Sequence, residues 1–415
     1  MTIASSSPTL STPVSPSERF EILDVLRGLA ILGILLLNIS AFSGVEFMSP
    51  AQKAGVWGAE YERSARVLVN WFVHGKFYSL FSFLFGVGFA VFLQRTASRD
   101  GGSARLLKRR LLGLLLIGLV HSILIWFGDI LVLYALFGFL LLAFRHRTDR
   151  TLIRWVVALL LCPIVIYGAG AIAVAATGTT PTAGANSGTG PLPPFLVHAL
   201  QHFDAGGYPQ IVEGNIRFTA GGWVRRIILF MLPRIFGMFL LGYLLGRRSF
   251  FRDLEAQRPV LRRVLRLGLW VGLPASAGYA WLMERAIYLP PTPLGWAMTT
   301  LESIGTPLLS LGYAAGVTLL WSRPGPQRVL AWLAPVGRMA LTNYLLQSVI
   351  CIAIFYGIGF GFWMQVGLVH ALWISVAIFV LQIILSHFWL KRFAFGPVEW
   401  VWRQFTYGKR VALAK

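Results

Sequence analysis

Residues 118–138, GLVHSILIWFGDILVLYALFG, place side chains capable of acid–base chemistry inside an otherwise apolar stretch. Histidine exchanges a proton near neutral pH, and a carboxylate can orient the ring and stabilise its charge. If the chain reverses at Gly128 and Asp129, Asp129 returns towards His121, and Tyr134 donates to the same site. One interpretation of the pattern is a general base at His121 with Asp129 and Tyr134 as partners. A histidine that only links two membrane helices by a hydrogen bond fits the same residues.

Other polar side chains interrupt apolar runs elsewhere, where burying them costs free energy and therefore indicates a role. For several of these side chains, a purely structural role is an alternative to a functional one. Asp24 and Arg27 are spaced to form an ion pair at the cytoplasmic interface, Asn38 can bridge helices, and Lys76 can reach the membrane surface. We predict that the substrate contacts this set: Asp24, Arg27, Asn38, Lys76, Ser82, Arg338, Asn343 and Gln347.

The composition requires a membrane around these residues. The chain has 415 residues, of which 56% are hydrophobic and 13% charged, and its mean hydropathy is +0.68. A soluble domain is about 25% charged, and a spanning helix needs roughly 20 apolar residues. We therefore predict an all-α, polytopic helical bundle of about ten transmembrane helices. The predicted spans are 23–43, 69–93, 110–127, 130–145, 152–176, 227–246, 264–283, 301–321, 329–356 and 367–390.

The distribution of charge between these spans predicts the topology. Even-numbered loops are rich in arginine, and odd-numbered loops are nearly neutral, so both termini are expected in the cytoplasm of a multi-pass inner-membrane protein. Residues 1–18 read as a disordered lead-in. Residues 19–410 form one membrane domain, with 177–222 as a large non-cytoplasmic loop.

The same charge distribution excludes some functions. The formal charge of +21, from 37 basic and 16 acidic side chains, lies in short loops without a nucleic-acid recognition motif, so no nucleic-acid partner is expected. Cys162 and Cys351 have no metal-ligand spacing, and no metal or permanently bound cofactor is predicted. The lipid bilayer is the partner that the composition requires.

Four stretches together resemble the YeiB-like family, also called DUF418: DVLRGLAILGILLLNI, KFYSLFSFLFGVGFA, HSILIWFGDILVLYALFG, and GRMALTNYLLQS with FGPVEW. The opening stretch also resembles heparan-α-glucosaminide N-acetyltransferase and other transmembrane acyltransferases. That resemblance implies transfer of an acyl group from cytosolic acyl-CoA to a sugar-like acceptor, with a membrane histidine as base. The sequence departs from the acetyltransferase pattern in the loop after the first span, which has no histidine, and at Gln347.

The resemblance and the residues together predict an acyltransferase with His121 as general base. Acyl-CoA would dock on the basic cytoplasmic face, and an envelope or secreted acceptor would enter from the opposite side. A transporter or flippase for a small or lipid-linked substrate, or a non-catalytic membrane component, accounts for the same polar residues. The residues expected to hold the donor phosphates are Arg105, Lys108, Arg109 and Arg110. Membrane topology and attraction to anionic lipids account equally well for these four charges.

The topology is directly testable with reporter fusions. The alternation of basic and neutral loops predicts cytoplasmic reporters near Arg105 and Lys409 and a non-cytoplasmic reporter near Ala185. Alkaline phosphatase and green fluorescent protein fusions at these positions distinguish the two sides. A cytoplasmic signal at Ala185 would contradict the whole assignment.

Overall fold

A computed structural model describes the fold over most of the chain, namely residues 20–56, 59–96, 102–177, 194–219, 231–285 and 291–415. The predicted lead-in, the linker at 178–193 and the beginning of the 227–246 span lie outside these residues.

The described residues are helical almost throughout, which confirms the all-α prediction. Within them, the one isolated β-bridge pairs Phe393 with Ala414. Helix starts are specified locally: the Thr148 and Thr292 side chains accept backbone N–H groups of the first turn. The helices are α1 Glu21–Phe42, α2 Pro50–Gly55, α3 Ala59–Phe72, α4 Lys76–Thr96, α5 Gly102–Val120, α6 Leu131–Ala143, α7 Asp149–Ala176, α8 Pro194–Ala205, α9 Tyr208–Phe218, α10 Leu232–Arg247, α11 Arg258–Leu267, α12 Leu273–Met283, α13 Pro293–Trp321, α14 Pro324–Leu330, α15 Ala334–Arg338, α16 Ala340–Phe355, α17 Leu368–Arg392 and α18 Pro397–Tyr407.

Several of these helices are long and apolar, which indicates a membrane protein. By length and composition, 5 helices among the described residues can cross a bilayer, or up to 6 if the bent pair α14–α15 and α16 is one span. Helical segments occupy each of the predicted intervals, but many are short or interrupted. The number of about ten spans therefore stays a prediction.

Helix α4 lies at the centre of the bundle and packs closely on α10 through facing glycines. A Cβ at Gly86 would lie 2.1 Å from the Phe239 carbonyl oxygen, and a Cβ at Gly242 would lie 1.9 Å from that of Phe83. Small residues allow the two backbones to approach closely. The resulting van der Waals packing stabilises the helix pair, since the hydrophobic effect does not drive helices together in lipid.

A sharp bend separates α15 from α16 and shapes the candidate site. The two halves of the bent pair meet at 78°, with Met339 between them. Gly337 lies against α1, where a Cβ would come within 1.8 Å of the Asp24 carbonyl oxygen. The bend places Arg338 beside α1 and directs the N-terminus of α16 into the bundle.

The contact between α4 and α10 yields a stability prediction. Replacing Gly242 by Ala should lower the free energy of unfolding by about 1–3 kcal/mol, because the added methyl group meets backbone atoms that cannot rotate away. Thermal unfolding of the detergent-solubilised protein measures the loss. Gly325→Ala is the matched control, since nothing lies within 4 Å of its added Cβ. Equal melting temperatures for the two variants would contradict the packing argument.

Candidate active site

Three buried side chains form a hydrogen-bonded row that joins the segment between α5 and α6 to α16. His121 Nδ1 lies 2.8 Å from Asp129 Oδ1, and His121 Nε2 lies 2.9 Å from Ser348 Oγ. The side chains of His121 and Asp129 are 0% and 2% exposed, and Ser348 is 1% exposed. Both ring nitrogens are therefore occupied in a site that excludes bulk solvent.

The positions of the histidine and the carboxylate follow from a local irregularity after α5. The helix widens into a single π turn over His121–Ile125, closed by the bond from Trp126 N to His121 O at 2.8 Å. Such turns are often found at functional sites. Asp129 then uses its second oxygen, Oδ2, to accept the Val132 N–H at 2.7 Å. One carboxylate thus caps the start of α6 and orients the histidine.

The helix α9 packs on the π turn and satisfies the carbonyl groups that it exposes. Asn215 Nδ2 donates to the carbonyls of Ile123 at 3.2 Å and Ile125 at 3.3 Å. Tyr208 Oη donates to Leu124 O at 2.8 Å. These bonds hold the backbone immediately after His121 from outside the bundle.

Tyr134, predicted as the third member of this site, points elsewhere. Its hydroxyl bonds Ser82 Oγ at 2.8 Å and donates to the Tyr78 carbonyl at 3.0 Å. Tyr134 follows Asp129 by more than one helical turn. Its side chain therefore lies on a different face of α6, the face towards α4. The aromatic ring beside His121 belongs instead to Tyr344, with ring centroids 5.1 Å apart.

A cavity of about 570 Å³ approaches this row from the arginine-rich end of the bundle. Its volume is typical of sites that enclose a small ligand. Successive turns of α1 line it with Arg27, Ile31 and Ile34, so its polarity falls with depth. Tyr134 and Tyr344 line the apolar part. The charged lining consists of Arg27, Arg95, Arg110, Arg338 and Arg403 with Asp24 and Glu399.

Tyr344 forms the wall between this cavity and the buried row. Its ring lines the cavity and contacts His121, and its hydroxyl donates to the Gly128 carbonyl at 3.4 Å. Ser348 follows Tyr344 by one helical turn, so both lie on the same face of α16.

The predicted substrate contacts divide into two groups. Asp24, Arg27 and Arg338 line the cavity, and Arg27 is held by Asp24 at 2.6 Å. Asn343 and Gln347 do not line it. Their side chains bond α17 instead, through the residue pairs Asn343–Ser386 at 3.0 Å and Gln347–Gln382 at 2.8 Å.

The other predicted contacts also lie outside the cavity lining. Lys76 is fully buried and donates to the Asn70 carbonyl at 2.9 Å, while Ser82 binds Tyr134. Asn38 is half-buried on α1. Of the predicted phosphate ligands, Arg110 lines the cavity, while Arg105, Lys108 and Arg109 are exposed.

A second buried polar cluster lies between α4, α10 and α13. Arg234 donates to Glu302 and to the Tyr78 hydroxyl, both at 2.8 Å. His74 Nε2 lies 3.7 Å from the Glu302 carboxylate. Pairing offsets the cost of burying these charges, and the sequence analysis did not single out either Arg234 or Glu302.

The helix α18 connects α5 to α16 at the arginine-rich end. Glu399 accepts the Leu341 and Thr342 N–H groups at 2.8 and 3.0 Å and the Thr342 hydroxyl at 2.5 Å. It therefore caps the start of α16, although burial raises the pKa of its carboxyl. Trp402 Nε1 donates to the Arg110 carbonyl at 2.7 Å.

Ser348 and two of the five arginines in the cavity, Arg95 and Arg403, were not among the residues predicted from the sequence. Ser348 ends the quoted stretch GRMALTNYLLQS and follows Gln347 directly. A serine one turn after a buried tyrosine is a weak signal in one sequence, because serine is common at helix contacts. Arg95 and Arg403 looked like ordinary loop charges.

The chain is similar in sequence to known proteins. The DUF418 model, described as a protein of unknown function, matches residues 245–409. The uncharacterized protein YxaH of Bacillus subtilis (strain 168) is 33% identical over 97% of this chain and 98% of its own length. The uncharacterized protein YeiB of Escherichia coli (strain K12) is 30% identical over 94% of this chain and 96% of its own length. Both similarities extend over nearly the whole chain.

The support that α9 gives to the π turn can be tested without a substrate. Asn215→Ala should speed amide hydrogen exchange at Trp126 and lower the free energy of unfolding by about 1–3 kcal/mol, because buried carbonyls lose their donor. Exchange mass spectrometry and thermal unfolding measure the two effects. The control is Gln210→Ala, an exposed side chain on the same helix. Unchanged amide exchange at Trp126 in the Asn215 variant would show that the π turn is stable without the Asn215 side chain.

Proposed function

This chain belongs to the DUF418 family, which includes YeiB-like proteins, and we propose that it is an inner-membrane acyltransferase. In this proposal acyl-CoA is the donor, and a sugar or similar envelope or secreted molecule is the acceptor. The observation that carries the proposal is the cavity that leads from clustered arginines to Tyr344, directly beside His121.

The lining of the cavity suits a donor with a phosphate-rich head and an apolar arm. Guanidinium groups bind phosphates through charge-assisted hydrogen bonds. Arg338 offers such a donor, because its Nε is buried without a hydrogen-bond partner in the described part of the chain. The apolar side chains beyond it, such as Ile34 and Phe81, match a pantetheine arm and its acyl group.

The buried row supplies the acid–base chemistry that acyl transfer needs. A carboxylate only accepts, so Asp129 fixes the proton of His121 on Nδ1 and leaves Nε2 as the base. Asp129 also stabilises the imidazolium that forms when Nε2 takes a proton. The acceptor would approach from the non-cytoplasmic side of the predicted topology, which α8 and α9 cover.

A transporter or flippase is the second candidate, and the buried Arg234–Glu302 pair favours it. Ionisable side chains at membrane depth often mark a substrate or proton path. The pair lies apart from the cavity lining, so a transport role would place function there. A non-catalytic membrane component remains the third alternative from the sequence.

Binding of acetyl-CoA by the purified protein in nanodiscs tests the donor site. Arg338→Gln should weaken binding roughly tenfold or more, since a charge-assisted hydrogen bond contributes about 1.5–3 kcal/mol. Arg328→Gln is the matched control, because Arg328 is exposed on α14. Equal affinities of the two variants for acetyl-CoA would show that the arginine-lined cavity does not bind the donor.

Release of CoA thiol from acetyl-CoA, with glucosamine offered as the acceptor, tests the chemistry in the same preparations. His121→Ala should lower the rate by on the order of a hundredfold or more while binding persists, and Asp129→Asn should give a milder loss. Thermal unfolding confirms that each variant is folded. An active His121→Gln variant would contradict the proposal, because glutamine keeps a hydrogen bond but is no base.

A further inference from the structure

The geometry around His121 leaves one proton within reach of its free nitrogen. Nδ1 faces Asp129, and Nε2 faces the Ser348 hydroxyl at 2.9 Å. A histidine in this position can act as a base only on Ser348 until that hydroxyl moves away. We propose that Ser348 is a covalent nucleophile, which carries the acyl group as a serine ester between donor and acceptor. The identity of the acyl donor rests on the proposed function, whereas the reactivity of Ser348 does not.

The distances match an activated serine. Nucleophile, base and orienting carboxylate each lie within hydrogen-bond reach in enzymes that use this arrangement, about 2.6–3.2 Å between heavy atoms. Here both bonds fall inside that interval, at 2.9 and 2.8 Å. The carboxylate is itself fixed by the Val132 N–H, which holds its other oxygen in place to accept from the Nδ1 side of the ring.

The contact between His121 and Ser348 joins two segments that are far apart in the sequence. His121 lies in the π turn after α5, Asp129 precedes α6, and Ser348 lies on α16, a contact 227 residues away in sequence from His121. Helix α16 is already joined to α17 by Asn343 and Gln347. Burying a histidine and a carboxylate to join it once more is costly.

The position of Ser348 relative to the cavity also fits a nucleophile. Tyr344 lines the cavity one turn before Ser348 on the same face of α16. A thioester at the apolar end of the cavity is thus separated from Ser348 by the Tyr344 ring. In this proposal a side-chain rotation of that tyrosine opens the path and breaks the 3.4 Å hydrogen bond from its hydroxyl to Gly128 O.

The reaction balances without any further reagent. Ser348 Oγ attacks the thioester carbonyl carbon while its proton passes to His121 Nε2. The carbon–sulfur bond breaks, and the departing CoA sulfur takes the proton from the imidazolium, which leaves Ser348 as an ester. In the second half, His121 takes a proton from the acceptor hydroxyl or amine, the acceptor attacks the ester carbonyl, and Ser348 Oγ leaves and recovers the proton.

A fluorophosphonate probe tests the nucleophile without assuming a substrate. The wild-type protein in nanodiscs should be labelled at Ser348, as read by peptide mass spectrometry. Labelling should disappear in Ser348→Ala and fall by on the order of a hundredfold in His121→Ala. Ser375→Ala is the matched control, because both serines are buried and bond the carbonyl one turn earlier, whereas His121 Nε2 bonds Ser348 and not Ser375. Labelling at another residue, or none at Ser348 in the folded wild type, would overturn the proposal.

Radiolabelled acetyl-CoA separates this inference from the proposed function. An acetyl ester at Ser348 that glucosamine or hydroxylamine removes is the expected result. If a folded Ser348→Ala variant releases CoA at the wild-type rate, the covalent step is wrong, but acyl transfer by another route is still supported. Phosphonylation of Ser348 without binding of acetyl-CoA would support the nucleophile and overturn the donor.

Discussion

The candidate site depends on two hydrogen bonds, one to each oxygen of the Asp129 carboxylate. One caps α6 through the Val132 N–H, and the other holds His121. Inside a membrane no water replaces a lost partner, so the cap and the histidine contact must form together. The direction of α6, the orientation of the imidazole and the availability of Nε2 are thereby set by one side chain. The turn between two apolar helices therefore has one defined arrangement of the carboxylate and the imidazole.

The same requirement explains the other polar contacts in the bundle. The freed carbonyls of the π turn are met by Asn215 and Tyr208, and the interrupted start of α16 is met by Glu399. These two irregular backbone segments are each paired with side chains from another helix. In lipid, unpaired backbone groups cost several kcal/mol each, so such partners make these two departures from a regular helix possible.

Sequence reasoning identified the helical class and the family, and it placed His121 near Asp129 because only two residues of turn separate the two helices. It failed where the contact partner lies far along the chain. Ser348 looked like one more small polar residue, and Arg95 and Arg403 looked like topology signals, because nothing local shows that they face a common cavity. Tyr134 was assigned by proximity in sequence, but the rotation of α6 turns it towards Ser82. The number of spans is also not read from helix length, since several helices are broken by π turns or sharp bends.

The contacts of α18 affect the order in which the protein can mature. This helix grips α5 through Trp402 and the start of α16 through Glu399, and these two helices lead to His121 and Ser348 respectively. The ribosome makes α18 after both of them. Membrane insertion of the earlier helices therefore precedes the contact that fixes their separation, and the nascent chain passes the translocon with His121 and Ser348 not yet held in register. Under the proposed function, reactivity would be withheld until synthesis has moved beyond residue 407, so an unfinished chain would not consume the donor.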